Sequence, residues 1–377
     1  MERLAEPSRV LVAMSGGVDS SLAAALLVEA GCDVVGVAMR LWTGESDSGC
    51  CSLDDFLDAR LVAERLGFPF YVMDFSEVFA RSVVDDFVAE YRRGRTPNPC
   101  ARCNQFVKFS ALWNRARELG ATHLATGHYA RIEMAEDGPA LLRGADAEKD
   151  QSYFLFGLDK QLLAQTLFPV GGLAKPAVRA AAAQRGLAVA DKPDSQEVCF
   201  APRRNYAALV EQRSAPIPPR AGPIVDEHGE VVGEHGGVHR FTVGQRRGLG
   251  LSGGGAPRYV TAIDAARGTV HVGPAERVVT AGLVADGVNW LVPPPPAGAR
   301  VSLQIRSRAA AQPARIAHAA SSEFAVVSDE PLRAATPGQA AVLYDGARVL
   351  GGGWIRRTFR GDELEAPARA ARVPWTA

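Results

Sequence analysis

A serine- and glycine-rich segment near the amino terminus carries residue types that bind phosphate. Ser15 to Ser21 reads SGGVDSS and joins the apolar run Val10 to Met14 to an alanine- and leucine-rich stretch that ends at Gly31. The two glycines let the backbone turn tightly, and the first amides of the following helix direct unpaired N–H groups and a positive dipole at an anion. The pattern predicts a phosphate-binding loop, although a glycine turn with a serine N-cap would also fit it.

The same segment lacks the lysine of a GxxxxGK[ST] loop, which disfavours ordinary P-loop kinase or GTPase chemistry. It resembles instead the PP-loop of the ATP pyrophosphatases. That resemblance implies cleavage of ATP between its α and β phosphates, which leaves an adenylated substrate and pyrophosphate.

Three cysteines form the second group of reactive side chains. Cys100 and Cys103 lie in TPNPCARCN, which its prolines predict to be a rigid loop and whose arginines favour the thiolate. Cys199 follows far along the chain in DSQEVCF. Such thiols could be a redox pair, half of a zinc site, or packed and inert. The PP-loop resemblance favours sulfur chemistry.

The composition limits the class of protein. Of 377 residues 47% are apolar, and 42 basic residues balance 42 acidic ones. The length allows two or three domains, and the balanced charge indicates neither a nucleic acid nor a membrane as the general partner. No apolar run approaches the roughly 20 residues that cross a bilayer. Six cysteines are too few for a disulfide scaffold, so we expect a cytoplasmic protein with reduced thiols.

The elements that must position these residues fall into three parts. Residues 1–205 alternate strand-like and helix-like patterns, which predicts an α/β domain with a parallel sheet and helices on both faces. Ser15 to Ser21, Met39 and Thr126-Gly127-His128 all end or follow strands, where ligands of such sheets bind. Residues 206–281 predict a small, mainly β central domain, and residues 282–361 predict a β-barrel. We expect a poorly ordered tail at 362–377.

The chain resembles the tRNA-specific 2-thiouridylases, which replace the 2-oxygen of the wobble uridine with sulfur in tRNAs for lysine, glutamate and glutamine. The similar stretches run from residue 10 to about residue 355, and many are specific to that family. They are AMSGGVDSS, GRTPNPCARCNQFVKF, ATGHYAR, LLRGADAEKDQSYFL, FPVGGLAKPAVR, DSQEVCF, GEHGGVHRFTVGQRRGLG, TPGQAAVLYDG and LGGGWI. The first domain would then be an ATP-binding catalytic domain of the adenine nucleotide α-hydrolase type.

The resemblance also assigns roles to individual residues. The implied ATP-binding residues are Ala13, Met14, Ser15, Gly16, Gly17, Val18, Asp19, Ser20, Met39 and Gly127. The implied catalytic residues are Cys103 and Cys199, and the implied contacts to the target base are Asn98, Pro99 and Cys100. The implied tRNA contacts are His128, Lys149, Asp150, Gln151, Arg306, Ser307 and Gln339. Because Ser307 stands where the family commonly has tyrosine, an aromatic stacking surface is missing there.

The chemistry implied by the resemblance uses ATP and Mg²⁺, with Asp19 helping to place the metal. Adenylation converts the uracil 2-oxygen into AMP, a good leaving group when sulfur attacks. Cys199 would accept sulfur as a persulfide, and Cys103 would release it by forming a transient disulfide. The implied partners are tRNA and a persulfide sulfur donor, either a cysteine desulfurase or a sulfur relay protein.

Cys100 departs from the family pattern, because many relatives have aspartate there. That carboxylate would be the obvious proton-transfer group beside the uridine, and a thiol does not replace it directly. Cys100, Cys103 and Cys199 could instead ligate an iron–sulfur cluster with one open iron. Two other functions explain part of the pattern: a PP-loop synthetase for NAD, GMP or argininosuccinate, and a non-catalytic tRNA-binding sulfur carrier.

Overall fold

The computed structural model describes residues 8–42, 52–194, 198–201, 205–214, 220–251 and 256–360. The predicted tail at 362–377 lies outside these ranges. The chain divides into two compact units. The first comprises Met1–Asp85, Pro99–Tyr206 and Ala347–Val349, and the second comprises Asp86–Asn98, Ala207–Gly346 and Leu350–Ala377.

A five-stranded parallel sheet forms the centre of the first unit. The strands of this unit are β1 (Arg9–Ala13), β2 (Asp33–Arg40), β3 (Phe70–Asp74), β4 (His123–Thr126), β5 (Ala130–Ala135), β6 (Gly138–Arg143) and β7 (Thr166–Leu167). The sheet order is β3-β2-β1-β4-β7, and β5 and β6 pair as an antiparallel hairpin. The parallel sheet confirms the predicted fold class.

The helices of the first unit pack around this sheet. They are α1 (Val18–Glu29), α2 (Leu53–Leu66), the first part of α3 (the consecutive stretches Ser76–Phe79, Ala80–Val84 and Asp85–Arg92), α4 (Pro99–Arg102, Cys103–Ala111 and Leu112–Glu118), α5 (Lys160–Leu163) and α6 (Lys175–Gln184), with a short 3₁₀ turn at Ser152–Phe154. The last part of α3, from Asp86, and α7 (Tyr206–Arg213), from Ala207, belong to the second unit. Leu22 and Ala23 to Ala25 of α1 are fully buried, because small side chains let the neighbouring elements approach closely. This packing accounts for the alanine-rich sequence after the loop.

Helix α4 corrects one prediction. The prolines of TPNPCARCN predict a loop around Cys100 and Cys103, but both cysteines lie in a helix that begins at Pro99. Proline suits the first helical position, since its missing N–H would have no partner there and its φ is already helical. From Cys103 to Ala111 the helix has the wider π-helical turn, which often occurs at functional sites.

The second unit contains two β structures. The first has strands β8 (Gly222–Val225), β9 (Val231–His235), β10 (Tyr259–Asp264) and β11 (Thr269–Gly273), in the order β10-β11-β8-β9. Strands β8 and β9 pair as an antiparallel hairpin, whose turn is fixed by Asp226 accepting from the amides of His228 and Glu230. Short 3₁₀ turns lie at Val238–Arg240 and Ala275–Val278.

A closed six-stranded barrel forms the rest of the second unit and confirms the predicted architecture. Its strands are β12 (Val279–Trp290), β13 (Arg300–Gln304), β14 (Gln312–Ala319), β15 (Glu323–Arg333), β16 (Ala340–Asp345) and β17 (Arg348–Phe359). The order is β12-β15-β14-β13-β16-β17, and pairing of β12 with β17 closes the barrel. Leu283, Leu303 and Phe324 are among the buried residues that fill it. Across the described ranges, no helix combines the length and apolarity needed to cross a membrane.

Candidate nucleotide and thiol site

The predicted nucleotide-binding segments meet at one edge of the parallel sheet. Strand β1 pairs with β2 on one side and β4 on the other, and Ala13 lies opposite both Val37 and Thr126. The loop after Ala13, Met39 at the end of β2, and Gly127 after β4 therefore share the carboxyl edge of the sheet. Parallel sheets bind ligands at this edge, where the connections on either side of a strand diverge.

The loop from Ser15 to Ser20 is tightly packed. Gly16 has a φ of +71°, and a Cβ there would lie 2.2 Å from the main-chain oxygen of Asp55. A Cβ on Gly127 would lie 2.5 Å from the amide nitrogen of Ser20, so Gly127 packs directly against the start of α1. The Ser20 Oγ accepts from the Ser15 amide and donates to the Gly17 oxygen, both at 3.2 Å.

Other predicted ATP-binding residues have buried side chains. Ala13, Met14 and Val18 are at most 8% exposed and belong to the core. A contact from these residues to a nucleotide would therefore use their backbone groups.

Asp19 is the charged residue of the loop, and it is already paired. Lys175, at the start of α6, donates from Nζ to Asp19 Oδ1 (2.7 Å) and Oδ2 (2.8 Å), and the Tyr129 hydroxyl donates to Oδ1 at 2.6 Å. Burial, followed by the adjacent Asp19 carboxylate, raises the pKa of Tyr129, which keeps the hydroxyl protonated as a donor. Tyr129 and Lys175 were not assigned a role from the sequence.

A second carboxylate extends this cluster. Asp194 Oδ1 lies 2.8 Å from Lys175 Nζ and 3.1 Å from Arg179 Nη2, and Oδ2 accepts from Lys149 Nζ at 2.8 Å. Burial disfavours the Asp194 carboxylate, but the hydrogen bonds from Lys149 and Lys175 outweigh it and hold the pKa below its usual value. Three cations, Lys149, Lys175 and Arg179, thus pair with Asp19 and Asp194 beside the loop, and a third carboxylate, Asp146, accepts from the Lys175 amide at 2.9 Å.

One sequence signal indicates the importance of Lys175. A lysine in the first turn of a helix lies at the positive end of the helix dipole, which is unfavourable for a cation. Lys175 is also only 8% exposed. A buried cation at that position requires anionic partners, and in the structure Asp19 and Asp194 supply them.

The fit of the implied metals to these residues is poor. The oxygens of Asp19 already accept from Lys175 and Tyr129, which leaves a neutralised carboxylate where a Mg²⁺ ligand was expected. Within the described residues, no three histidine, cysteine or acidic side chains are grouped to hold a metal ion. Cys100, Cys103 and Cys199 therefore do not form an iron–sulfur ligand set in this arrangement.

The thiols differ in exposure. Cys100 is exposed, Cys199 is partly buried, and Cys103 is buried at the first position of the π-helical stretch. These three cysteines and Cys32 are reduced thiols, so the described part of the chain holds no disulfide between Cys103 and Cys199. The disulfide that the resemblance implies is a transient one, and this conformation does not contain it.

Aromatic packing relates the two thiol segments to each other. Phe200, next to Cys199, is buried and lies edge-on to Phe79, with ring centroids 5.5 Å apart. The stretch Ser76–Phe79 in turn packs against the stretch Cys103–Ala111. Both thiol segments therefore contact the same turn of α3.

The helix that carries Cys103 also contacts the nucleotide-binding edge. The Phe109 ring lies 5.9 Å from the ring of His128, which follows Gly127. The His128 Nδ1 lies 2.7 Å from the Thr126 hydroxyl. Burial, and then the charge of Lys108, holds the pKa of His128 well below its usual value, so the ring is neutral at pH 7.

The predicted tRNA contacts Lys149, Asp150 and Gln151 make bonds within the first unit. Lys149 pairs with Asp194, and the Gln151 Oε1 accepts from the Tyr129 amide at 2.9 Å. The Asp150 carboxylate accepts from Arg143 and from the amides of Gly144 and Ser152. Both carboxylate oxygens of Asp150 thus already accept hydrogen bonds within the protein.

The remaining predicted contacts lie in the second unit. Arg306 donates from Nη2 to the Ala334 oxygen at 2.6 Å, and Gln304 donates to the main-chain oxygens of Arg306 and Ser307. Gln339 donates to the main-chain oxygens of residues 96 and 97. Asn98 is 7% exposed and ends the segment that belongs to this unit, and Pro99 begins the next segment of the first unit.

Three family matches follow one another along the chain. Residues 8–203 match the family described as the tRNA methyl transferase HUP domain, 214–274 its PRC-barrel domain, and 280–355 the aminomethyltransferase beta-barrel domain. The fold and the site thus define a protein with an amino-terminal HUP domain, in which a PP-loop follows the first strand, and two β domains after it.

Full-length relatives identify the family more closely. The tRNA-specific 2-thiouridylase MnmA of Geotalea uraniireducens (strain Rf4) is 51% identical over 360 residues, covering 92% of this chain and 94% of that protein. The enzyme of the same name from Geobacter metallireducens is 52% identical, covering 92% and 96%, and that from Rhodospirillum centenum is 48% identical, covering 98% and 97%. The chain belongs to the tRNA-specific 2-thiouridylase family.

Proposed function

We propose that this protein is an enzyme that uses ATP to replace the 2-oxygen of the wobble uridine with sulfur in tRNAs for lysine, glutamate and glutamine, in the cytoplasm. The observation that carries the proposal is a shared placement in the first unit. Gly127 packs against the start of α1, where Lys175 pairs with Asp19, and the next residue, His128, contacts the helix that carries Cys103. Near 50% identity to 2-thiouridylases over most of the chain supports the same substrate.

The nucleotide would bind at the carboxyl edge of the sheet. Amides of Ser15 to Ser20 and the positive end of α1 suit the phosphates of ATP, and backbone groups near Met39 and Gly127 suit the nucleoside. Lys175 would supply the charge that the GxxxxGK[ST] lysine supplies in other loops. Asp19 would not ligate Mg²⁺ in this conformation, because both of its carboxylate oxygens accept from Lys175.

Sulfur transfer would follow adenylation of the uracil 2-oxygen. The terminal sulfur of a Cys199 persulfide attacks C2, the C2–O bond breaks, and AMP leaves with the oxygen. The Cys103 thiolate then attacks the Cys199 sulfur, which breaks the S–S bond, releases the 2-thiouridine and leaves a Cys103–Cys199 disulfide. An external thiol reductant restores both cysteines, and a persulfide donor reloads Cys199.

An anaerobic thiolation assay on demonstrably iron-free protein tests the proposal. The reaction contains ATP, Mg²⁺, a persulfide donor and unmodified lysine tRNA, and 2-thiouridine is quantified after digestion. We expect 2-thiouridine to form, together with tRNA-dependent release of pyrophosphate. Product only after iron–sulfur reconstitution would contradict the persulfide route. Absence of 2-thiouridine both before and after reconstitution would contradict the enzymatic proposal. Binding of tRNA without release of pyrophosphate would indicate the non-catalytic sulfur carrier.

A further inference from the structure

The residues directly before Asn98 are held by a loop of the barrel, residues 334–339. Gln339 donates from Nε2 to the main-chain oxygens of Thr96 (3.0 Å) and Pro97 (3.2 Å). The amide of Thr96 donates to the Pro337 oxygen at 2.8 Å. Two successive carbonyls and one amide of this segment are therefore fixed from the same loop.

The barrel loop is itself held in a strained conformation. Ala334 has a φ of +50°, the only positive value among the non-glycine residues that the structure describes. Its oxygen accepts from Arg306 Nη2 at 2.6 Å and from Thr336 Oγ1 at 2.9 Å, and its amide donates to Val278. Such strain persists only where the surroundings impose it, often near functional sites. Arg306 is thus engaged in shaping the loop that carries Gln339.

Other parts of the second unit hold the same segment. The Thr96 hydroxyl lies 3.2 Å from the Thr242 hydroxyl, and Arg95 donates from Nη2 to the Ile355 oxygen at 3.2 Å. A Cβ on Gly94 would lie 2.5 Å from Ile263, so the segment also lies directly against β10. Residues 94–97 are thus bound to both β structures of the unit.

We propose that Gln339 is a positioning residue that acts through Thr96 and Pro97 to set Asn98 for the target uridine. Both protons of its amide group are used in the two bonds to the segment, so neither is available to the nucleic acid. The inference rests on the proposed function, because it assigns Gln339 to the placement of Asn98, whereas the family resemblance assigns it to tRNA contact.

Gln339→Glu tests this inference, because it keeps the shape of the side chain and removes the donors. The carboxylate would face two carbonyl oxygens and repel them. We expect the amide of Thr96 to lose protection from hydrogen exchange by at least about tenfold in protein without tRNA. We also expect kcat for thiolation of lysine tRNA to fall by about ten- to hundredfold, with the tRNA Kd changed less than threefold. Gln339→Lys restores donors to both carbonyls and should recover most of the protection.

Gln312→Glu is the matched control, since it makes the same change in strand β14 of the barrel. It should leave the exchange of Thr96 and the kcat as in the unmodified protein. Unchanged exchange at Thr96 in Gln339→Glu, or a tRNA Kd weakened tenfold with kcat preserved, would overturn the inference. Because the exchange measurement needs neither tRNA nor activity, its failure is distinct from failure of the proposed function.

Discussion

The nucleotide-binding edge and the segment 94–97 are both held rigidly, but by different interactions. At the edge, Asp19 and Asp194 are held by charged partners that include Lys175. In the segment, Gln339 donates to two backbone carbonyls and the Pro337 carbonyl accepts from the Thr96 amide, so neutral hydrogen bonds hold the backbone itself. Cations that are paired with carboxylates can exchange a carboxylate for a phosphate when ligand arrives, whereas a backbone held by neutral bonds keeps its shape. We therefore expect ligand binding in the first region and fixed geometry in the second.

The largest expected effect comes from removing the charge on which the edge depends. Lys175→Met should lower the rate of tRNA-dependent pyrophosphate release by about 10²- to 10³-fold, because one preorganised cation at a reacting phosphate contributes on that scale. Lys160→Met is the matched control, since the pair that Lys160 forms with Asp137, at 3.6 Å, is partly exposed to solvent. A rate within threefold of the unmodified protein for Lys175→Met would contradict the role of the cluster.

The backbone of the loop provides the next test. Gly16→Ala places a Cβ 2.2 Å from the Asp55 oxygen at a φ of +71°, and should lower the free energy of unfolding by about 2–4 kcal/mol. Gly31→Ala has a φ of +81° but open space around the Cβ, so it should cost only about 1 kcal/mol. Urea unfolding of the two variants measures the difference. Equal losses would show that the contact with Asp55 does not constrain the loop.

The same comparison can be made in the neutral region. Gly338→Ala has a φ of +92° and a Cβ 2.9 Å from the Thr96 oxygen, and should cost about 2 kcal/mol of unfolding free energy. Gly346→Ala, with a φ of +55° and nothing nearby, is the control in the barrel and should cost about 1 kcal/mol. Salt should change neither value, because no charge is involved. If Gly338→Ala lowers the free energy of unfolding no more than Gly346→Ala does, the backbone of residues 94–97 is not held rigidly.

The smallest expected effect is the pH dependence of the edge. Because the pKa of Asp194 is lowered in the fold, its ionised form stabilises the protein above the unfolded pKa of about 3.9. That contribution is lost as the pH falls through the folded pKa. Asp194→Asn should therefore flatten the fall in stability below about pH 5 by about 1 kcal/mol. Urea unfolding at several pH values measures it, and an unchanged acid limb would contradict the ionic description of the cluster.

Local sequence signals predicted the parts of the molecule that depend on local physics. The glycine pattern at Ser15 to Ser20 gave the loop, and alternating strand and helix patterns gave the parallel sheet. The helix through Cys100 and Cys103 was not predicted, because Pro97 and Pro99 are typical of a loop. The helix begins at Pro99, and the first helical position accepts proline. The prolines of the nine-residue segment TPNPCARCN are compatible with a loop and also with the start of a helix.

Long-range pairs were not predictable in this way. Lys175 and Asp19 are 156 residues apart, and Gln339 and Thr96 are 243 residues apart. Neither pair has a periodic pattern, and each depends on the fold being complete before its partners meet. The dipole argument marks Lys175 as unusual, but Gln339 carries no comparable signal, since neutral hydrogen bonds leave no trace in charge or hydropathy.

We propose that activation of the tRNA and transfer of sulfur use separate groups in this protein. Cys199→Ala with ATP, Mg²⁺, a persulfide donor and lysine tRNA tests it, with pyrophosphate and 2-thiouridine measured in the same reaction. We predict tRNA-dependent release of pyrophosphate without 2-thiouridine, beside both products from the unmodified protein. Formation of 2-thiouridine by the variant, or no pyrophosphate from the unmodified protein with tRNA, would contradict this separation of roles.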